Sequence, residues 1–447
     1  MKKVNVVVIG GCPAGITAAT SCRRRYPEKS VNLIRREEKP LGACGIPFMV
    51  ATLGTPERTL FPDAKVVNKG IELTIGEVEK IDRNKKTILM ADGNTTSYDK
   101  LVLATGSSPV VPPIPGTEKK NVFVVQKDVP YLKNMLEAIN TAKDIVIIGG
   151  GIIGIEFAEE CKKNHDCNVT IVEVLPHCLQ LTLDEEFCVE AEKAITELGI
   201  KLLVNGRVEA ILGDKRVSGL RLSDSKEIKA DLIIIAVGFR PDTKLAEEAG
   251  LQIGPSGAIA VDRYMLTTDR NIFACGDCAE KYSFFSGKPT RAMLASVAGT
   301  EGRVVGANLF NISCCNRGTV GAFSFIVGER SFSSVGLTEA AAKQEGYDVV
   351  IGEETGMDKY PPSIPEATQT KVKLIFSKDN GLLLGGGVSG GRLTGEPTNV
   401  ISALIQARMT AYDITLFQMS SSPKLTASPT DYQIVNAAEL AIKSMIV

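Results

Sequence analysis

The chain opens on a continuous β-branched run, Val6 to Ile9, which predicts a strand buried on both faces. That run passes directly into GGCPAGITAAT, so the order read from the residues is strand, glycine turn, helix. A second apolar run, Val31 to Ile34, predicts the next strand. From Gly76 to Leu103 the text alternates and turns: EVEKID, then Arg83-Asn84-Lys85-Lys86, then TILMADG, then LVLATG. This predicts a small antiparallel meander returning into the first sheet. Ala104-Thr105-Gly106 closes it, and SSPVVPPIPG (107–116) reads as a connector leaving the domain. A second glycine motif then follows. Asp144 to Ile148 predicts a strand, GGGIIG the turn, IEFAEECKK a helix, and NVTIVE the following strand.

The two glycine turns differ in quality. A dinucleotide loop has the form G-x-G-x-x-G: the first glycine makes the tight turn, the second admits a pyrophosphate, and the third packs helix on strand. The first turn supplies Gly10 and Gly15 but has Cys12 at the middle position, whose side chain would crowd the phosphate or turn away. Its second strand ends in Arg35 and Arg36, where an acid for a ribose hydroxyl pair is expected; Glu37 is the nearest substitute. Arg23, Arg24 and Arg25 close the first helix, where cations complement the dipole; the alternative is that Arg23 and Arg24 hold a phosphate-rich substrate. The second turn is complete, with Gly149, Gly151 and Gly154, and Glu173 ends the strand after it. A carboxylate there accepts from the ribose 2′-hydroxyl and repels a 2′-phosphate, so NADH is expected over NADPH. Two such turns imply two nucleotides.

Composition adds limits. With 447 residues, 44% hydrophobic and 23% charged, the chain is globular material for two to four domains. A net charge of -1 gives no reason to expect nucleic acid or membrane partners, and no apolar run is long enough to span a bilayer. The opening Met1-Lys2-Lys3-Val4 stretch is too short in its apolar part to read as a signal peptide. Eleven cysteines without regular spacing predict reduced thiols in a cytoplasmic protein, not a disulfide framework.

One cysteine stands apart. In LGACGIPF, Cys44 lies between Gly42, Ala43 and Gly45, which admit another group to the sulfur, and Pro47 suits a first helical turn. Cys44 is therefore expected at a helix N-terminus, where amide groups favour a thiolate.

Further on come AVGFRPDT (236–243), with Gly238, and NIFACGDCAE (271–280), with Gly276 and Asp277. The order of GGCPAG, Cys44, ATG, GGGIIG with Glu173, VGFRP and ACGD resembles the FAD-dependent pyridine nucleotide-disulfide oxidoreductases over nearly the whole chain. A single cysteine in the form CGIP, without a partner five residues away, resembles the branch that holds coenzyme A disulfide reductases, persulfide reductases, NADH oxidases and NADH peroxidases. The resemblance implies an α/β fold of two Rossmann-like nucleotide-binding domains, for FAD and NAD, plus a C-terminal α+β dimerisation domain. It divides the chain into a first FAD-binding part (1–115), an NAD-binding domain (116–244), a second FAD-binding part (245–320) and a dimerisation domain (321–447), and it implies a homodimer. By the same resemblance Cys44 faces the flavin, Asp277 binds its ribitol, Glu156 lies near nicotinamide and flavin, and Gly10, Ala14, Gly15, Thr105, Gly106, Gly238 and Gly276 line the cofactors. The implied reaction takes electrons from NADH through FAD and Cys44 to a small-molecule disulfide or persulfide, with coenzyme A derivatives first. The alternatives are an NADH oxidase in which oxygen cycles Cys44 through a sulfenic acid, and an NADH-dependent flavin electron donor or sensor for a partner protein.

The departures from that family concern the proton donor. Oxidases and peroxidases of the branch carry a histidine in the first glycine loop, where this chain has Pro13, and cysteine-pair reductases carry a C-terminal His-Pro, where it has Ser422-Pro423. The only histidines are His165 and His177. The resemblance to coenzyme A disulfide reductases implies a tyrosine in the role, for which Tyr360 and Tyr432 are the nearest candidates; packing is the favoured reading of either. Cys275-x-x-Cys278 brackets Asp277 and is read as packing; Cys161, His165 and Cys167 lack a fourth ligand, so no metal site is expected. Cys12 is expected near Cys44.

Overall fold

The computed structural model describes residues 2–446, which form two compact units. The first comprises Met1–Pro112, Phe123–Thr141 and Val237–Thr319. Its sheet has four parallel strands in the order Glu72–Ile75, Val31–Arg35, Lys2–Ile9 and Thr95–Leu103, with Ile272–Ala274 parallel to the last. Val6, Val7 and Val8 are fully buried, as a central parallel strand requires, and pair with Val31, Asn32 and Leu33 on one side. The meander expected between Gly76 and Leu103 is present: Val78–Asp82 pairs antiparallel with Thr87–Met90, and that strand with Thr95–Leu103. Helix Pro13–Arg25 follows the first strand and packs on helix Ala295–Asn308. The approach is close because Gly302 and Gly306 face it. A methyl group at Gly302 would lie 2.6 Å from the Ala14 carbonyl oxygen, and one at Gly306 2.7 Å from that of Ala18.

The second unit comprises Pro113–Val122, Ala142–Ala236 and Val320–Val447. It contains the other Rossmann-like sheet, with parallel strands Lys201–Leu203, Asn168–Val172, Asp144–Ile148 and Leu232–Ile235 and helix Ile152–Asn164 after the glycine turn. It also contains a five-stranded antiparallel sheet, Ala322–Val327, Arg330–Gly336, Leu383–Gly390, Gln369–Ser377 and Val349–Met357 in spatial order, packed by helices Gly395–Gln406 and Gln433–Ile446. These are the α/β and α+β parts that the resemblance implies. Among the described residues no helix is long and apolar enough to cross a membrane.

Candidate active site

In the first unit, the first glycine turn is shaped by two contacts that exclude any side chain. Gly10 has φ +124°, and a methyl group there would run into the Ala104 carbonyl; one at Gly15 would run into the carbonyl of Gly10. Gly10 and Gly15 thus do what the motif asks. At the middle position Cys12 is the residue before the helix, in extended conformation, and its thiol turns to the carbonyl of Leu41, 3.8 Å away. Burial pushes the Cys12 thiol pKa up, so it is held protonated. The side chain that the motif does not want is directed toward Leu41, at the start of the Cys44 segment.

Two further stretches of the same unit, at Ala104 and at Gly276, rest against this loop and are bonded to others. A methyl group at Gly276 (φ +78°) would lie 2.7 Å from the Ala14 side chain, so the Gly276-Asp277 turn rests on the first loop. Thr105 donates to the Asp242 carbonyl at 2.6 Å, and Asp242 donates its amide to Gly106 at 3.0 Å. Gly106 and Gly238 both have positive φ and open space where a side chain would point. Asp277 is half-buried; its Oδ2 accepts from the Ser107 hydroxyl at 2.7 Å, and the Lys127 ammonium lies 4.0 Å from the same oxygen and 3.2 Å from Ser107 Oγ. Ser107 and Lys127 carry no motif of their own, and only the fold brings them to Asp277. The second strand gives no acid for a ribose: Arg35 is buried, paired with Asp63 at 2.8 Å, and donates to the carbonyls of Glu37 and Glu38. Glu37 pairs with Arg36 at 2.9 Å on the surface.

Cys44 itself is exposed, on a segment fastened at both ends. Gly42 donates to the Thr59 carbonyl at 2.8 Å, Phe61 donates to that of Pro40 at 2.9 Å, and Ile46 and Met49 are anchored in the interior. The segment is not the start of an α-helix, as its sequence suggests, but two 3-10 turns, Ala43–Gly45 and Pro47–Met49. Pro47 has no amide to donate back to Ala43, so the ladder breaks and restarts there. Cys44 gains a fixed position from this arrangement and no helix macrodipole.

In the second unit, Gly149 (φ +111°) makes the tight turn and a methyl group at Gly154 would run into its carbonyl, while Gly151 faces open space. Glu173 is buried; its carboxylate accepts from the Gly150 amide at 2.6 Å and from the Leu175 amide at 2.8 Å. Glu156 is half-buried on the helix that follows. Its carboxyl is pushed up to about 7, chiefly by burial and then by the neighbouring Glu159 and Glu160.

The family model described as pyridine nucleotide-disulphide oxidoreductase matches residues 4–302, and the dimerisation domain of the same family matches residues 323–431. This chain is a pyridine nucleotide-disulphide oxidoreductase. It is 31% identical to an NADH oxidase of Enterococcus faecalis over 94% of this chain and 96% of that one. It is 32% identical to an NAD(P)H coenzyme A polysulfide/persulfide reductase of Pyrococcus horikoshii over 95% of each. Among solved structures it is similar to an NAD-dependent persulfide reductase from A. fulgidus, with TM-score 0.91, 32% identity, and 98% of this chain and 83% of that one covered. The cofactors of this oxidoreductase are FAD and NADH, and the residues fit them: glycines in each loop where a side chain would strike a carbonyl, open space at Gly106, Gly151 and Gly238, and carboxylates at Asp277 and Glu173.

The remaining sulfur and ring groups of the oxidoreductase are distributed as follows. Cys275 and Cys278 are fully buried, and Cys278 donates to the carbonyls of Leu103 and Cys275; burial raises both thiol pKa values, which suits packing. Cys161 and Cys167 are also buried, and no group of metal-ligating side chains occurs among the described residues. His165 bonds to the Ala142 carbonyl at 2.8 Å, and His177 sits 3.2 Å from Glu192. Tyr360 is half-buried in the second unit, where its amide donates to Pro423 at 3.1 Å, joining it to the Ser422-Pro423 stretch. Tyr432 is half-buried there too, its phenol raised by burial. Of the arginines, Arg23 donates to the carbonyls of Pro27, Lys29 and Lys69, whereas Arg24 is exposed.

Proposed function

We propose that this enzyme uses NADH to reduce low-molecular-weight disulfides or persulfides, coenzyme A derivatives first, at Cys44. The observation that carries the reading is the exposed Cys44 on a fastened turn reached by the first glycine loop, whose neighbouring thiols Cys12, Cys275 and Cys278 are turned away or buried; the other exposed thiols, Cys314 and Cys315, follow helix Ala295–Asn308. The Cys44 thiolate attacks one sulfur of a disulfide R–S–S–R; the Cys44–S–S–R bond forms, the substrate S–S bond breaks, and RS⁻ leaves. NADH and FAD, held at the two glycine loops, would supply two electrons; with these the mixed disulfide is cleaved to the Cys44 thiolate and a second RS⁻.

In this reading Gly10, Ala14, Gly15, Thr105, Gly106, Gly238, Gly276 and Asp277 hold FAD, and Gly149, Gly151, Gly154, Glu156 and Glu173 hold NADH. Tyr360 and Tyr432 supply or orient the proton for the departing thiol, and exposed Arg24, beside Arg23, attracts the phosphates of a coenzyme A substrate. Residues 1–115 and 245–320 form the FAD-binding part, 116–244 the NAD-binding part and 321–447 the dimer contact. The active assembly is a homodimer in a reducing cytoplasm, consistent with eleven cysteines and no nucleic acid or membrane partner.

The resemblance to the Enterococcus NADH oxidase favours oxygen as the second reading. Stopped-flow mixing of the NADH-reduced enzyme with coenzyme A disulfide, a persulfide and oxygen separates the two. Fastest reoxidation by a sulfur acceptor is expected; fastest reoxidation by oxygen would make it an oxidase.

A further inference from the structure

One buried ion pair in the first unit does something its energetics do not explain. Glu301 is fully buried and Lys281 nearly so, and their charged groups meet at 3.0 Å. Glu301 Oε2 also accepts the Gly276 amide at 2.8 Å, while Lys281 Nζ donates to the Gly276 carbonyl at 2.5 Å and to the Ala279 carbonyl at 3.0 Å. The two peptide groups flanking one residue are thus gripped from opposite ends of a single pair. That residue has φ +78° and immediately precedes Asp277. The other Glu301 oxygen, Oε1, is buried with no hydrogen-bond partner. Two desolvated charges with one oxygen unsatisfied return little net stability, so what they contribute is geometry.

The placement of Glu301 supports this. It lies on helix Ala295–Asn308, beside Gly302, the residue whose missing side chain lets that helix sit on Ala14 and Thr17 of the first glycine-loop helix. Gly276 itself rests on Ala14. The pair therefore fixes the Asp277 turn relative to the first loop through a helix that touches both.

We propose that Lys281 and Glu301 are positioning residues that hold the Gly276-Asp277 turn in register with the first glycine loop, so that flavin affinity and the flavin spectrum depend on the pair separately from fold stability. The proposal rests on the reading that Asp277 binds the flavin.

The test uses the purified FAD-loaded protein and four variants: Glu301→Gln, Lys281→Met, the double variant carrying both, and Glu301→Asp, with Asp277→Asn as control. Each is measured for urea midpoint, FAD dissociation constant and flavin absorption. Each neutralising single variant leaves a buried charge alone and should lower the urea midpoint. The double variant has no buried charge, so its midpoint should return toward wild type. Its FAD dissociation constant should stay raised, on the order of tenfold, with a shifted flavin band, because a thioether in place of the ammonium cannot donate to the carbonyls of Gly276 and Ala279. Glu301→Asp, which keeps the charge but retracts the oxygen, should also weaken FAD and shift the band. Wild-type FAD affinity and spectrum in the double variant or in Glu301→Asp would reduce the pair to a structural one and overturn the proposal. Unchanged FAD affinity in Asp277→Asn would instead show that the turn does not hold the flavin, and the underlying reading would fall with the proposal.

Discussion

Glu173 accepts a hydrogen bond from the Gly150 amide at 2.6 Å, which ties the acid at the end of one strand to the glycine loop at the end of its neighbour. The carboxylate is thereby fixed at the loop mouth, where a ribose 2′-hydroxyl can donate to it and a 2′-phosphate meets its charge. NADH should be preferred over NADPH in kcat/KM. Glu173→Ala should lower kcat/KM for NADH by about 10- to 100-fold, as loss of a charge-assisted hydrogen bond does, and affect NADPH far less. Steady-state kinetics with both nucleotides check this, and equal wild-type rates would contradict it.

Glu156 gives a pH signature. Its folded-state pKa of about 7 lies above the ordinary carboxyl value of about 4.3, so the folded protein binds this proton more tightly than the unfolded chain. Stability from this group is present below about pH 4.3 and is lost as pH rises through about 7. Glu156→Gln should flatten that part of the stability curve. Urea midpoints of both proteins between pH 5 and 8 test it; parallel curves would show that Glu156 does not titrate there.

Lys373 holds three carboxylates together. Its buried ammonium lies 2.6 Å from Glu186, 3.1 Å from Glu339 and 3.7 Å from Asp184, linking the antiparallel sheet to helix Glu185–Glu197. Lys373→Met should cost about 3–5 kcal/mol at neutral pH, since it leaves buried negative charge uncompensated. Against the opposing effect of burial, Lys373 holds the Glu186 carboxyl below its ordinary range, and the Glu339 carboxyl is held down first by Lys343 and then by Lys373; both contributions are present above about pH 4.3 and lost as pH falls through the folded values. The deficit of the variant should therefore shrink on acidification. Denaturant titrations at pH 7 and pH 4 measure it, and a deficit independent of pH would refute the electrostatic explanation.

Much of this architecture is legible in the residues. Val6–Ile9 and Ile145–Ile148 are unbroken β-branched runs followed by glycine, and both prove to lie in central parallel strands with the predicted turns, because burial on both faces leaves no room for polar alternation. Gly10, Gly15 and Gly154 are required by carbonyls that a side chain would strike, and Gly149 by its φ of +111°. What escapes the sequence depends on contacts between distant stretches. Lys127 and Ser107 meet Asp277 only in the fold, and Lys281 and Glu301 are twenty residues apart in segments without a motif. The Cys44 segment misleads locally: Pro47 suits a helix start in isolation, but its missing amide here divides two 3-10 turns. Arg35 is where an acid is expected because the second strand uses its end to hold Asp63 and two loop carbonyls.

The central claim is that Cys44 carries electrons to sulfur, and Cys44→Ser tests it most directly. Flavin bleaching by NADH and reduction of artificial dyes need no sulfur and should persist in the variant. Turnover of the best disulfide or persulfide should fall by about three orders of magnitude or more, since serine is neither ionised nor nucleophilic at that position. Anaerobic stopped-flow of the two half-reactions gives both numbers in one experiment. Retained flavin reduction with lost sulfur turnover is the predicted result; near wild-type sulfur turnover by the serine variant would show that Cys44 is not the redox centre.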